Sequence, residues 1–165
     1  MRIRPEKPSE FDAIDDVVRS AFGQQDEVDL VHRIRSLDSY VPELALVASE
    51  EGEIIGHIML SYAQLGTKRV LQLAPLAIVP KRQHEGIGSS LTRVSLGMAE
   101  QRGEPLVLVL GHPEYYPKFG FESARAKGIE PSTPDIPDEA WMVRTLTAYD
   151  PSLKGTAVFP AGGID

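Results

Sequence analysis

The chain has 165 residues and no cysteine, which excludes disulfides, thiolate metal sites and a cysteine nucleophile. Its 42% hydrophobic and 25% charged residues are ordinary for one soluble globular domain, and MRIRPEKPSEF lacks the apolar stretch of a signal peptide, so a cytoplasmic location is expected. With 17 basic and 24 acidic residues the net charge is −7, which disfavours nucleic acid and membrane as partners and suits a cationic substrate such as an amine, although solubility alone accounts for it.

In chain order, Met1–Arg4 is a short strand candidate stopped by Pro5. Ser9 reads as the N-cap of a helix whose apolar face is Ile14, Val17, Val18, Ala21 and Phe22, with Gly23 ending it. A second helix is expected from Asp26 to Leu37, with Leu30, Val31, Ile34 and Leu37 inward. Val41–Ser49 and Glu53–Gln64 read as strands joined by a hairpin turn at Glu50-Glu51-Gly52. After a polar loop at Gly66-Thr67-Lys68, Leu71–Val79 reads as a buried strand interrupted by Pro75. Proline cannot donate to a ladder, so it predicts an edge or a bulge, and a bulge would open a slot beside the strand.

The run Gln83-His84-Glu85-Gly86-Ile87-Gly88 follows that strand and precedes a helix over 89–101, with Ile87, Leu91, Val94 and Met98 at helical spacing. A strand, a glycine turn and a helix in succession point backbone N–H groups at the positive end of a helix dipole, a setting that holds phosphate or pyrophosphate. Neither the Lys-Ser/Thr of a nucleoside-triphosphate loop nor the three glycines of a dinucleotide fingerprint is present. Leu106–Leu110 reads as a strand covered on both faces, ended by Gly111. A short helical segment at Pro113–Lys118 leads to Gly120-Phe121, and a proline-rich loop (Pro131, Pro134, Pro137) precedes a strand at Trp141–Thr147. The predicted order is β-α-α-β-β-β-α-β-α-β-β, an α/β mixed sheet with helices on both faces in one domain over 1–165.

Three features together resemble the GNAT superfamily of N-acetyltransferases: the QHEGIG run after LAPLAIVP, the apolar strand 106–110, and Tyr116-Pro117-Lys118-Phe119-Gly120-Phe121, with a tyrosine four residues before Gly-Phe. With GHPEYYPKFGF and the final Trp-Met-Val-Arg strand, the pattern is similar to the YhbS-like branch over most of the chain. The resemblance implies an acyl-CoA N-acyltransferase fold with splayed strands and acetyl-CoA as co-substrate. It places Leu76, Ala77 and Ile78 on the pantetheine arm. It places Gln83, His84, Glu85, Gly86, Ile87, Gly88 and Ser89 on the pyrophosphate, gripped by the backbone N–H groups from His84 to Ser89. Lys81 and Arg82 would lie near the 3′-phosphate. Tyr116 would be the general acid that protonates the leaving thiolate, and a backbone N–H on the bulged strand would serve the oxyanion.

The strand 71–80 carries no carboxylate of the kind many family members use as a base, which leaves Glu27, Glu43, Glu114, His57 or a water chain. Before the tyrosine, Gly111-His112-Pro113-Glu114 replaces the family's longer polar stretch with an asparagine. Four scattered histidines give no metal-ligand spacing, so no metal is expected. The acceptor, a small-molecule amine or a protein amino group, would be met by residues 8–37 and 125–140. Oligomeric state is open, a homodimer among the options. The alternative to a transferase is a non-catalytic acyl-CoA-binding or sensory module.

Overall fold

The computed structural model describes residues 1–162. Its first half is an antiparallel meander of β1 (Arg2–Pro5), β2 (Tyr40–Glu50), β3 (Glu53–Leu65) and β4 (Lys68–Ile78), with β1 and β2 separated in sequence by the two helices α1 (Phe11–Phe22) and α2 (Asp26–Arg35). The chain then forms α3 (Ile87–Gln101) and β5 (Leu106–Leu110), which joins β4 in parallel. The remaining strands are β6 (Glu122–Ser123), β7 (Ile129–Pro131), β8 (Trp141–Thr145) and β9 (Gly155–Val158). The path across the sheet is β1-β2-β3-β4-β5-β8-β6, and β7 pairs with β9, which also touches the end of β3. This is the expected mixed α/β sheet.

Alternation along the strands divides the core. Leu44, Leu46, Ile58, Leu60, Leu71 and Leu73 face α3, packing with Ile87, Leu91, Leu96 and Ala99. The residues between them face the other way. Val47 and Ala77 meet Ile14, Val17 and Val18 of α1, while Ala45 and Met59 meet Leu30, Val31 and Ile34 of α2. Each of the Leu, Ile, Val and Met side chains among them contributes about 2 kcal/mol by leaving water, and together they clamp the central sheet between layers.

One polar cluster interrupts this core. The Glu6 carboxylate accepts from Arg35 (2.8 and 3.0 Å), Tyr40 (2.6 Å) and His57 Nε2 (2.8 Å), and the side chains of Glu6 and His57 are fully buried. It ties the segment after β1 to α2, β2 and β3. Burial alone would raise the pKa of Glu6, but the bonds from His57, Arg35 and Tyr40 outweigh it and hold the pKa at about 2.

Several boundaries differ from the predicted ones. Ser9 does not cap α1: it sits in a 3-10 turn over Pro8–Glu10, where Glu10 accepts from the Lys7 N–H at 3.0 Å. The second helix stops at Arg35, so Leu37 lies outside it and is exposed. Val94 is also exposed, because the inner face of α3 includes Thr92 and Ser95, whose hydroxyls donate back to the carbonyls of Gly88 and Thr92. The fourth strand begins at Lys68 rather than Leu71, and the last predicted strand ends at Thr145 rather than Thr147. The helical segment predicted at 113–118 is a 3-10 turn over Tyr116–Phe119. β7 and β9 carry too few alternating residues to signal themselves.

Candidate active site

Ile58 pairs with Leu76 and Leu60 with Leu73, so β4 spends one more residue than β3 across Ala74-Pro75. That is the bulge Pro75 predicts. On its other edge β4 pairs with β5 only at Leu71 with Val107 and Gln72 with Leu108. Beyond Gln72 the two strands part, and their free backbone groups border a cavity of about 970 Å³. Leu73, Ala74, Leu76 and Ile78 line one wall, and Val109, Leu110 and Gly111 the other. Ala77, predicted beside them, points its side chain to the opposite face, against α1. Only its backbone remains available to the slot.

The glycine turn closes one end. Gly86 (φ +87°) stands as the residue before α3, and His84 also takes a left-handed conformation (φ +68°). None of the N–H groups from His84 to Ser89 donates to a protein acceptor among the described residues; the first bonded one is Ser90, to the Gly86 carbonyl at 3.0 Å. The turn therefore presents consecutive free donors at the positive end of a 15-residue helix. Gln83 braces this arrangement, its Nε2 donating to the Ile78 carbonyl at 3.1 Å. The Ile87 side chain lies in the core, and Glu85 is exposed and ion-paired to Arg82 (2.9 Å). Arg82 also pairs with Glu50 at 3.2 Å, which commits its charge to neighbours; Lys81 has no ion pair among the described residues.

Tyr116 lines the same cavity, buried and edge-on to Tyr115 and Phe121 with ring centroids 4.9 and 5.5 Å away. Its hydroxyl forms no hydrogen bond among the described residues. Burial, and secondarily Tyr115, raise its pKa above the ordinary phenol value, so the proton stays on at neutral pH. Gly111 makes room for it: a Cβ there would lie 2.4 Å from Tyr116 Cε2. Tyr115 serves a different place. Its hydroxyl is buried without a partner among the described residues, 3.0 Å from where a Cβ on Gly88 would sit, at the first turn of α3.

A family model described as an acetyltransferase (GNAT) domain matches residues 2–124. The chain belongs to the GNAT acetyltransferase family. It is 36% identical to the uncharacterised N-acetyltransferase YjhQ of Escherichia coli K12, over 89% of this chain and 85% of YjhQ. It is 32% identical to the N-acetyltransferase YhbS of the same strain, over 94% of this chain and 92% of that one. The crystal structure of E. coli YhbS in complex with CoA superposes with a TM-score of 0.88 at 28% identity, covering 97% of this chain and 90% of YhbS. A GNAT acetyltransferase of Brucella melitensis in complex with acetyl-CoA gives 0.80 at 27%, covering 97% and 96%.

The structure sorts the four side-chain candidates for the amine-side base. His57 is fully buried against Glu6 and does not reach the cavity. Glu43 is exposed, 3.6 Å from Arg102, and Glu114 is a surface residue. Glu27 is different. It is only 5% exposed, lines the cavity beside Ala21 and Phe22, and accepts from Gln24 Nε2 at 3.0 Å. The short Gly111–Glu114 segment that replaces the family's asparagine stretch lets His112 line the cavity and accept from the Tyr115 and Tyr116 N–H groups through its carbonyl, at 3.1 and 3.3 Å. Among the described residues no group of three potential metal ligands converges.

Proposed function

We propose that the protein transfers the acetyl group of acetyl-CoA to the primary amine of an acceptor by direct attack within a ternary complex. One observation carries this reading: a single cavity runs from the free N–H groups at the start of α3, between the parted strands, to the Tyr116 ring. A pyrophosphate satisfies the donors from His84 to Ser89, and the Tyr115 hydroxyl beside Gly88, partnerless among the described residues, gives that end a further donor. The free edge of β4 around Leu76 to Ile78 bonds an extended amide arm as a third strand would. Acetyl-CoA supplies an activated thioester in the slot.

The chain's own groups then do three jobs. A backbone N–H of β4 after Pro75 stabilises the oxyanion that develops on the carbonyl. Glu27, at the cavity wall on α2, takes the proton that the incoming amine must lose, directly or through water. Tyr116 delivers its proton to the departing sulfur. A desolvated slot penalises thiolate as it penalises phenolate, so the transfer is not opposed by the raised pKa of the tyrosine alone. Thiol release on mixing with acetyl-CoA and a broad amine panel tests the reading: amine-dependent release with stoichiometric N-acetylated product is expected. Acetyl-CoA binding without release makes the protein a binding module, and no binding removes both readings.

A further inference from the structure

Behind the parted strands lies a second cavity of about 530 Å³. It shares Leu73, Ala74, Val109 and Leu110 with the donor cavity, so the two stand back to back across the gap where β4 leaves β5. Its volume is that of a small-molecule site. Its deeper wall is apolar, built from Leu30 of α2, Leu108 of β5, Ile136 and Phe159. Its polar residues are Ser132, Thr133 and Asp135, exposed on the loop at the mouth, and one buried amide, Gln72, whose Nε2 already donates to Ser61 Oγ at 3.4 Å.

These walls are held in place. Arg125 donates to the Ile136 carbonyl at 2.9 Å and pairs with Glu130 at 3.0 Å and with Asp138, pinning the loop across 130–138. Arg33 Nε donates to the Ala161 carbonyl at 2.9 Å, and Phe159 stacks edge-on to Trp141 at 5.9 Å, fixing the last segment over α2. A second observation points the same way. Of the six large hydrophobic side chains left exposed among the described residues, three line these cavities: Val158 the chamber, Phe22 the donor cavity and Leu110 both. Apolar surface left in water at one place marks the chemistry of what covers it.

We propose that this chamber is the acceptor pocket and that it selects a primary amine carried on an apolar body, an aryl- or alkylamine, over polycations and peptide amino groups. A polycation spreads several charges and needs several carboxylates, whereas Asp135 is the one acidic residue lining the chamber among the described residues. A peptide brings backbone donors and acceptors that this apolar wall leaves unpaired. An aryl- or alkylamine buries its body against Leu30, Leu108 and Ile136 and sends its amino end past Ala74 toward Glu27, one turn before Leu30 on α2. This assignment rests on the transferase reading above.

The test uses the full chain with acetyl-CoA and four acceptors: 4-phenylbutylamine, hexylamine, spermidine and a short lysine peptide. Thiol release should show kcat/KM for the first two about tenfold or more above the others. With CoA present, 4-phenylbutylamine should raise the Tm of the wild type, and Ile136→Asp should abolish that rise while leaving acetyl-CoA affinity intact. Faster turnover of spermidine or the peptide overturns the chamber assignment and leaves the transferase standing. Absence of release with every amine, with acetyl-CoA bound, overturns both.

Discussion

Gly111→Ala perturbs the proposed acid without touching it. The added Cβ would sit 2.4 Å from Tyr116 Cε2 and 2.9 Å from Cδ2, against an ordinary carbon–carbon approach of about 3.5 Å, so the ring must move by roughly 1 Å. It has little free space to do so, because Tyr115 and Phe121 press edge-on from two sides at 4.9 and 5.5 Å. A misplacement of about 1 Å in a catalytic group costs on the order of 10²-fold in rate, close to the lower end of what general acid catalysis contributes. We expect kcat in Gly111→Ala to fall about 10²-fold with acetyl-CoA affinity nearly unchanged. Tyr116→Phe should fall by at least as much, and the double variant should lose no more than Tyr116→Phe alone. Steady-state kinetics with a good acceptor, with Tm measured alongside, reads all three. Unchanged kcat in either single variant, or multiplicative losses in the double, refutes the assignment of the acid to Tyr116.

Gly86→Val forces a β-branched residue into a left-handed conformation at about 1–2 kcal/mol, and reshaping the turn should weaken acetyl-CoA binding about tenfold by calorimetry. Glu27→Gln keeps the shape of the side chain and removes the base; kcat/KM for the amine should drop at least tenfold near neutral pH and recover as pH approaches the amine's own pKa near ~10, and a flat response would clear Glu27 of that role. Glu6 contributes stability of about 3 kcal/mol through a carboxylate held at about 2 rather than 4.5; because the folded pKa is the lower one, this is present above about pH 4.5 and lost as pH falls toward 2. Chemical denaturation from pH 6 to 2 should show that loss in the wild type and a much shallower one in Glu6→Gln.

Most of the donor side is legible in the sequence because each part has a local signal. Pro75 announces a bulge, and Gly86 and Gly88 announce a turn with free N–H groups. The unbroken Leu106–Leu110 run announces a central strand, although Leu110 at its end is exposed and rims the slot. The acceptor side has no such signal. Glu27 sits in a run of charged residues, Asp26-Glu27-Val28-Asp29, and only the way α2 meets the sheet decides that it alone among the acidic three is buried. Hydrophobic periodicity likewise places Val94 inward, while Thr92 and Ser95 occupy that face by returning their hydroxyls to the helix backbone. The wall of the second cavity comes from β5, α2, the loop before β8 and the segment after β9, pieces too far apart in sequence for any pattern to join.

The two halves of the site also differ in how they are built. Donor recognition as proposed uses backbone: free N–H groups at α3, the unpaired edge of β4, and glycines where a side chain would collide. Backbone geometry survives most substitutions, so a chain can diverge widely and keep the same donor. Acceptor recognition uses side chains on α2 and on loops held by Arg33 and Arg125, each of which one substitution can alter. A change at Ile136 or Asp135 can thus alter which amine enters without disturbing the N–H groups at α3, because no residue of that loop lines the donor cavity. The residues the cavities do share, Leu73, Ala74, Val109 and Leu110, lie where the strands part. Substitution there should affect both substrates at once, and kinetic coupling between donor and acceptor should therefore concentrate at those four positions.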